Sequence, residues 1–210
     1  MPTDDRSRDL GGAAAQRPLL ILASTSRYRR ELLERLRLPF EAVAPDVDET
    51  PFPGESPALL AERLALAKAA AIAQRRPEAI VIGSDQVADV DGSAIGKPGT
   101  HARAIAQLRA MSGRSIVFHT AVAVIRPSTS FSQVRRAAVT VHFRDLADDE
   151  IEAYLRADTP YDCAGSAKSE TLGITLLRAI ESDDPTALVG LPLIRTTELL
   201  RAAGLDPLRP

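Results

Sequence analysis

The eight residues Ile80-Val81-Ile82-Gly83-Ser84-Asp85-Gln86-Val87 restrict this chain more than any other stretch. Three β-branched apolar residues predict a short buried strand, and the glycine, hydroxyl and acid that follow predict where it ends. In open α/β sheets ligands bind outside the carboxyl ends of strands, and a glycine there lets the backbone approach a ligand that a Cβ would exclude. A carboxylate at that edge can hold a metal ion or take a proton from water. The same Ser84-Asp85 pair can also merely turn the chain or cap a helix, so other segments have to decide.

Strand and helix signals alternate along the sequence. Residues 19–22 read as a buried strand, followed by a helix through Arg30 and Leu36, and residues 40–47 as a second strand. Ser56 and Pro57 form an N-cap with proline at the first helical position, opening an alanine-rich helix to about Arg75. Thr100 caps a helix that runs to Ser112 and stops at Gly113. Residues 116–125 and 134–144 predict two antiparallel strands, the second alternating at Val139, Val141 and Phe143. A helix over 148–156, a glycine-punctuated stretch to Gly190 and a helix ending before Gly204 follow. The fold class is α/β with a mixed sheet.

With 210 residues the chain can bury a core as one domain or as two lobes sharing a cleft. A formal net charge of −2 argues against a nucleic-acid-binding surface, although a local basic pocket suffices for a free nucleotide. The single cysteine, Cys163, excludes an internal disulfide and suits a cytoplasmic location. No apolar run reaches the ~18 residues of a membrane span. Residues 1–17 are charged, then Gly- and Ala-rich, and predict a disordered extension, leaving 18–210 as a single domain.

Several segments carry candidate chemistry. Ser24-Thr25-Ser26 followed by Arg27, Arg29 and Arg30 joins a strand to a helix N-terminus, where free N–H groups and guanidinium forks favour phosphate. The same residues can equally be a capped helix with solvated arginines, and Tyr28 can pack on Leu32. Leu60, Leu64, Lys68 and Ile72 are spaced by four, so Lys68 rises from an apolar row. It either snorkels to water or delivers its charge into a cleft. Lys97, in Ile95-Gly96-Lys97-Pro98, sits in a restrained turn from which it can reach a triphosphate. Asp46, Asp48, Glu49 and Asp85 supply the oxygen ligands that a hard divalent cation shares with substrate phosphates. His101, His119 and His142 are far apart, which argues against zinc.

Five motifs in order resemble the Maf family of nucleoside triphosphate pyrophosphatases: Leu22-Ala23-Ser24-Thr25-Ser26 with Arg29-Arg30, Val47-Asp48-Glu49-Thr50, Gly83-Ser84-Asp85-Gln86-Val87, Gly96-Lys97-Pro98 and Val189-Gly190-Leu191-Pro192. The resemblance implies a two-lobed Maf/ITPase-like fold around a mixed, twisted sheet. It also implies a nucleotide in the cleft between the lobes, a homodimer, and hydrolysis between the α and β phosphates with Mg²⁺ or Mn²⁺. Within the family, Ser84-Asp85-Gln86-Val87 and the stretch from Cys163 to Glu170 resemble the branch acting on 7-methyl-GTP. Tyr28 stands where that branch often has tryptophan, and Arg27 where it often has proline.

The expected roles follow. Asp85 is the proton acceptor and, with Glu49, the metal ligand, while Lys68, Lys97, Arg29, Arg30 and Ser24 face the phosphates. Tyr28 would stack on the cationic 7-methylguanine ring, Gln86 would offer it a donor and an acceptor, and Glu170 would accept from N1–H and the 2-amino group. Competing expectations are a pyrophosphatase for dTTP, UTP or modified nucleotides, and a nucleotide-binding regulator of septum formation.

Overall fold

The computed structural model describes residues 17–209; apart from Arg17, the extension expected over 1–17 lies outside them. The strands are β1 (Leu20–Ala23), β2 (Glu41–Val43), β3 (Ile80–Val90), β4 (Ser93–Ile95), β5 (Ser115–Arg126), β6 (Phe131–Phe143) and β7 (Leu177–Glu181). The α-helices are α1 (Arg27–Glu34), α2 (Pro57–Ala73), α3 (His101–Met111), α4 (Asp148–Asp158) and α5 (Leu193–Ala202). One mixed sheet runs β2-β1-β3-β5-β6-β7, with β4 paired to β3 off that path. The pairs β1–β2 and β1–β3 are parallel, and all others are antiparallel.

The fold has two lobes. In the first, Leu20, Leu22, Ile80 and Ile82 face Leu32 and Leu33 of α1 and Leu199 and Leu200 of α5. On the opposite face Ile21, Ala23 and Val81 meet the apolar row of α2. Burial on both faces explains why these strands read as unbroken apolar runs. In the second lobe, Phe118, Val139, Val141 and Phe143 meet Leu108 and Met111 of α3 and Ile151, Tyr154 and Leu155 of α4. Each fully buried large side chain contributes about 1.5–3 kcal/mol relative to exposure. The expected helix starts are realised: Ser56 accepts from Leu59 N and Thr100 from Arg103 N.

β3 departs most from expectation. It does not end at Gly83 but continues to Val90, so Ser84 and Asp85 neither turn the chain nor cap a helix. The cause is long-range: β5 pairs with β3 from Val81 to Asp89, and Val87, Ala88 and Val90 bury their side chains. On the other edge, β1 pairs only as far as Gly83, and β4 begins at Ala88. Residues 84–87 therefore have a strand neighbour on one side only, and a cleft opens there between the lobes.

Gly83 also serves a different purpose from the one its sequence suggests. A Cβ at this position would lie 2.2 Å from Ala65 O and 2.6 Å from Ala69 N, so the missing side chain admits the backbone of α2, not a ligand. β2 is shorter than the expected 40–47, because its partner β1 ends and Pro45 follows. The edge strands β4 and β7 were not expected; neither shows the burial alternation that would mark it in the sequence.

Candidate active site

The close approach of α2 to Gly83 sets up the charge cluster of the cleft. Lys68 lies between Ala65 and Ala69 in sequence, and Asp85 is two residues beyond Gly83, hence on the same face of β3. Their side chains meet: Lys68 Nζ donates to Asp85 Oδ1 at 2.6 Å and lies 2.6 Å from Glu49 Oε1. Lys68 is 5% exposed, which decides between the two readings of its apolar row in favour of the cleft. Desolvation opposes ionisation of Glu49, but the hydrogen bond from Lys68 and the charges of Lys68, Lys97 and Arg29 outweigh it and hold its pKa below the ordinary glutamate value.

Arg29 approaches the cluster from α1. Its Nε donates to Gly190 O at 2.9 Å, and its Nη2 stands 4.0 Å from Asp85 Oδ1. Burial opposes its charge and lowers its pKa, while Asp85 and Glu49 favour the charge. Gly190 O also accepts from Ser84 Oγ at 3.0 Å, so one carbonyl ties α1 to β3. Ser24 Oγ accepts from Ser26 N, and Ser26 caps α1 by accepting from Arg29 N. Arg30, one position further along the helix, is exposed and not part of the cleft wall, because adjacent helical residues point in different directions.

Gln86 points to the opposite face of β3 from Asp85. Its Nε2 donates to Thr120 Oγ1, Ala187 O and Leu188 O at 3.1, 3.0 and 2.8 Å. The donor half of its expected role is thereby taken by the protein, and its Oε1 remains for a ligand. The loop that presents these carbonyls is held by buried Asp184, which accepts from Thr186 Oγ1 and Arg195 N.

Ser24, Arg29, Glu49, Lys68, Asp85 and Gln86 border a cavity of about 1060 Å³ that also touches Asp46, Lys97, Tyr28, Asp162 and Cys163. That is ample for a nucleoside triphosphate. Lys97 follows β4, its loop held by Gln107 Nε2 donating to Gly96 O and by Gly99 N donating to Tyr161 O. Asp48 lies off the wall and accepts from Thr50 N at 2.9 Å. Glu170 is exposed and also off the wall. Partial desolvation raises its pKa against the opposing pull of Lys168. Tyr28 is on the wall, but its ring is bracketed by cations: Arg27 Cζ is 4.8 Å and Lys168 Nζ 5.7 Å from the ring centroid.

The family profile described as Maf-like protein matches residues 19–203. The chain belongs to the Maf family. It is 67% identical over 186 residues, 89% of this chain and 85% of the relative, to a protein of a Polaromonas species named 7-methyl-GTP pyrophosphatase. A protein of the same name from Albidiferax ferrireducens is 64% identical over 90% of this chain and 95% of its own. One from Burkholderia thailandensis is 63% identical over 91% and 90%. Among solved structures, a nucleoside-triphosphatase / dITP/XTP pyrophosphatase from Mycobacterium abscessus is similar at a TM-score of 0.41 and 21% identity, covering 60% of this chain and 75% of that one.

Of the site residues expected in this Maf chain, Ser24, Tyr28, Arg29, Glu49, Lys68, Asp85, Gln86 and Lys97 share the cleft wall, while Arg30 and Glu170 do not reach it. Sequence reasoning missed the Gly190 carbonyl, the anchor Thr120 and the buried Lys168. The Gly-Leu-Pro at 190–192 and the lysine two residues before Glu170 were visible signals for two of them.

Proposed function

We propose that this Maf protein hydrolyses 7-methyl-GTP to 7-methyl-GMP and pyrophosphate. The observation that carries the reading is the ammonium of Lys68 shared between Asp85 and Glu49 in a nucleotide-sized cleft, within reach of Arg29 and Lys97. The names borne by the relatives at 63–67% identity supply the substrate.

In this reading Asp85 accepts the proton of the attacking water. Lys68, Lys97 and the free edge of Arg29 lie against the phosphates and offset the charge that develops on the leaving pyrophosphate. Arg29 is pre-oriented because its Nε is committed to Gly190 O. Ser24 and the N-terminus of α1 add donors to the same anion site.

Among the described residues no group of three or more His, Cys, Asp or Glu forms a ligand cluster. Two carboxylates do fit a cation of the Mg²⁺ or Mn²⁺ type, which takes one or two of them together with substrate phosphates. Lys68 engages Asp85 Oδ1 and Glu49 Oε1, leaving a second oxygen on each. A divalent ion held there would supply phosphate charge neutralisation and Lewis acidity. The cytoplasmic location and the homodimer belong to the same reading, and light scattering tests the latter. No helix among the described residues is long and apolar enough to cross a membrane.

The deciding experiment measures pyrophosphate release from 7-methyl-GTP, GTP, dTTP, UTP and CTP with Mg²⁺ or Mn²⁺, with Asp85→Asn as control. Preference for 7-methyl-GTP that disappears in the variant is expected. Preference for dTTP or UTP would keep the enzyme class and remove the substrate. Stoichiometric nucleotide binding without release would leave a nucleotide-binding regulator.

A further inference from the structure

Directly behind the cleft wall stands a lysine that the proposed hydrolysis does not use. Lys168 is 7% exposed. Its Nζ lies 3.1 Å from Asp162 Oδ1 and 5.7 Å from the Tyr28 ring centroid. Tyr28 and Asp162 both line the cleft, so the ammonium stands between two wall side chains.

The backbone beneath it is pinned. Lys168 N donates to Tyr154 Oη at 3.0 Å, and Lys168 O accepts from Thr171 N at 3.2 Å. Gly173 is pressed so closely on this residue that a Cβ there would sit 2.5 Å from Lys168 O. An exposed lysine keeps most of its rotamer freedom, whereas this one starts from a fixed Cα with a largely buried stem. An ammonium has three donors; Asp162 and the Tyr28 side chain account for two, leaving one.

Tyr28 is by itself a poor selector for a cationic base. With Arg27 and Lys168 close to its ring, a positively charged ring stacked on it would meet like charges. A directional contact to the base edge discriminates better, because a polar group built to meet a partner rejects the analogue that lacks it. Guanine and 7-methylguanine carry a carbonyl acceptor at O6, where adenine carries an amino donor.

We propose that Lys168 is a specificity-determining residue that donates from Nζ to the 6-oxo group of a purine base, with Asp162 holding the ammonium and offsetting its charge against a cationic ring. The proposal rests on the nucleotide reading of the cleft and narrows it to 6-oxopurine nucleoside triphosphates.

The test compares kcat/KM for pyrophosphate release from 7-methyl-GTP, GTP, ITP and ATP in the wild type, Lys168→Met, Lys168→Gln and Asp162→Asn. ITP and ATP carry an oxo and an amino group, respectively, at the position in question, so the wild type should favour ITP at least ~10-fold. Lys168→Met should cost about 10- to 100-fold on the three 6-oxopurines, the scale of a lost charged hydrogen bond, and leave ATP hydrolysis unchanged. Lys168→Gln, which retains an N–H donor, should lose less. Asp162→Asn should reduce 7-methyl-GTP more than GTP. If Lys168→Met fails to fold, the wild-type ITP-to-ATP ratio and the Gln variant still decide. Equal losses on all four substrates, or a wild type indifferent to ITP and ATP, would overturn the Lys168 assignment while leaving the hydrolysis intact. Absence of turnover on every substrate would overturn the hydrolytic reading and the assignment with it.

Discussion

Lys68, Asp85 and Arg29 project from two helices and a central strand, whereas Asp162, Cys163 and Lys168 project from turns between α4 and β7. The first group is largely buried and interlocked through a shared carboxylate and a shared carbonyl. In the second group, the partner of Lys168 is a largely exposed aspartate, 61% accessible. The difference assigns different jobs to the two ends. Phosphate chemistry needs charges whose positions do not relax during the reaction, and regular elements supply that rigidity. The base selection proposed for Lys168 sits on loops, where substitutions can change preference without disturbing the sheet.

The contrast is sharpest at Asp85. Replacing it by asparagine should lower turnover ~10²–10⁴-fold on every nucleotide alike, with a loss of stability no larger than that of Lys68→Met, because Lys68 keeps Glu49. Discrimination among bases that changed along with the rate would blur the division between the two ends.

Beside its effect on turnover, Lys68→Met is expected to change stability. It leaves Asp85 with only the 4.0 Å contact to Arg29. Breaking a fully buried pair costs ~3–5 kcal/mol; here the water-accessible cleft reduces the loss to about 1–3 kcal/mol, read from urea midpoints. Adding Asp85→Asn should recover part of that stability, and a double-mutant cycle without coupling would contradict the pairing.

Gly83→Ala tests the placement of the charged residues and not the residues themselves. A methyl group against Ala65 O should destabilise by ~1–3 kcal/mol and, by pushing α2 outward, slow turnover on all substrates. Normal stability in this variant would mean that the helix yields freely.

For stability, Glu49→Gln is the mildest change. The carboxylate is half exposed, so its contribution is under ~1 kcal/mol and screened by salt. Because its folded pKa is depressed, that contribution is complete above the ordinary glutamate value and disappears as the pH falls through the depressed one. The stability difference between wild type and variant should therefore be flat at neutral pH and vanish in acid, as equilibrium unfolding across pH would show.

Local signals in the sequence were reliable where the physics is local. Ser56-Pro57 and Thr100 mark helix starts because capping involves neighbours in the chain, and alternation at Val139, Val141 and Phe143 marks β6 because one face is buried. The acidic and basic members of the cleft were legible as types. Their partners were not: Lys68 lies 17 residues before Asp85, and whether it snorkels or pairs depends on Gly83 letting the helix in. Ser84-Asp85 looks like a turn because two polar residues rarely sit inside a buried strand, and only the pairing to β5 makes them do so. Arg30 and Glu170 have the right chemistry in the sequence but point elsewhere, a matter of side-chain direction that composition does not carry.

The stretch of β3 left open on one edge has a mechanical meaning. At residues 80–83 the sheet is β2, β1, β3, β5 and β6 wide, and near residues 88–90 it is β4, β3, β5, β6 and β7 wide. Between them only β3, β5 and β6 cross. A sheet flexes most readily at its narrowest waist, so any closing of the lobes concentrates its bend on the residues that carry Asp85 and Gln86. In the proposed reading, the strand that carries the proton acceptor is therefore also where any such closing would bend the sheet.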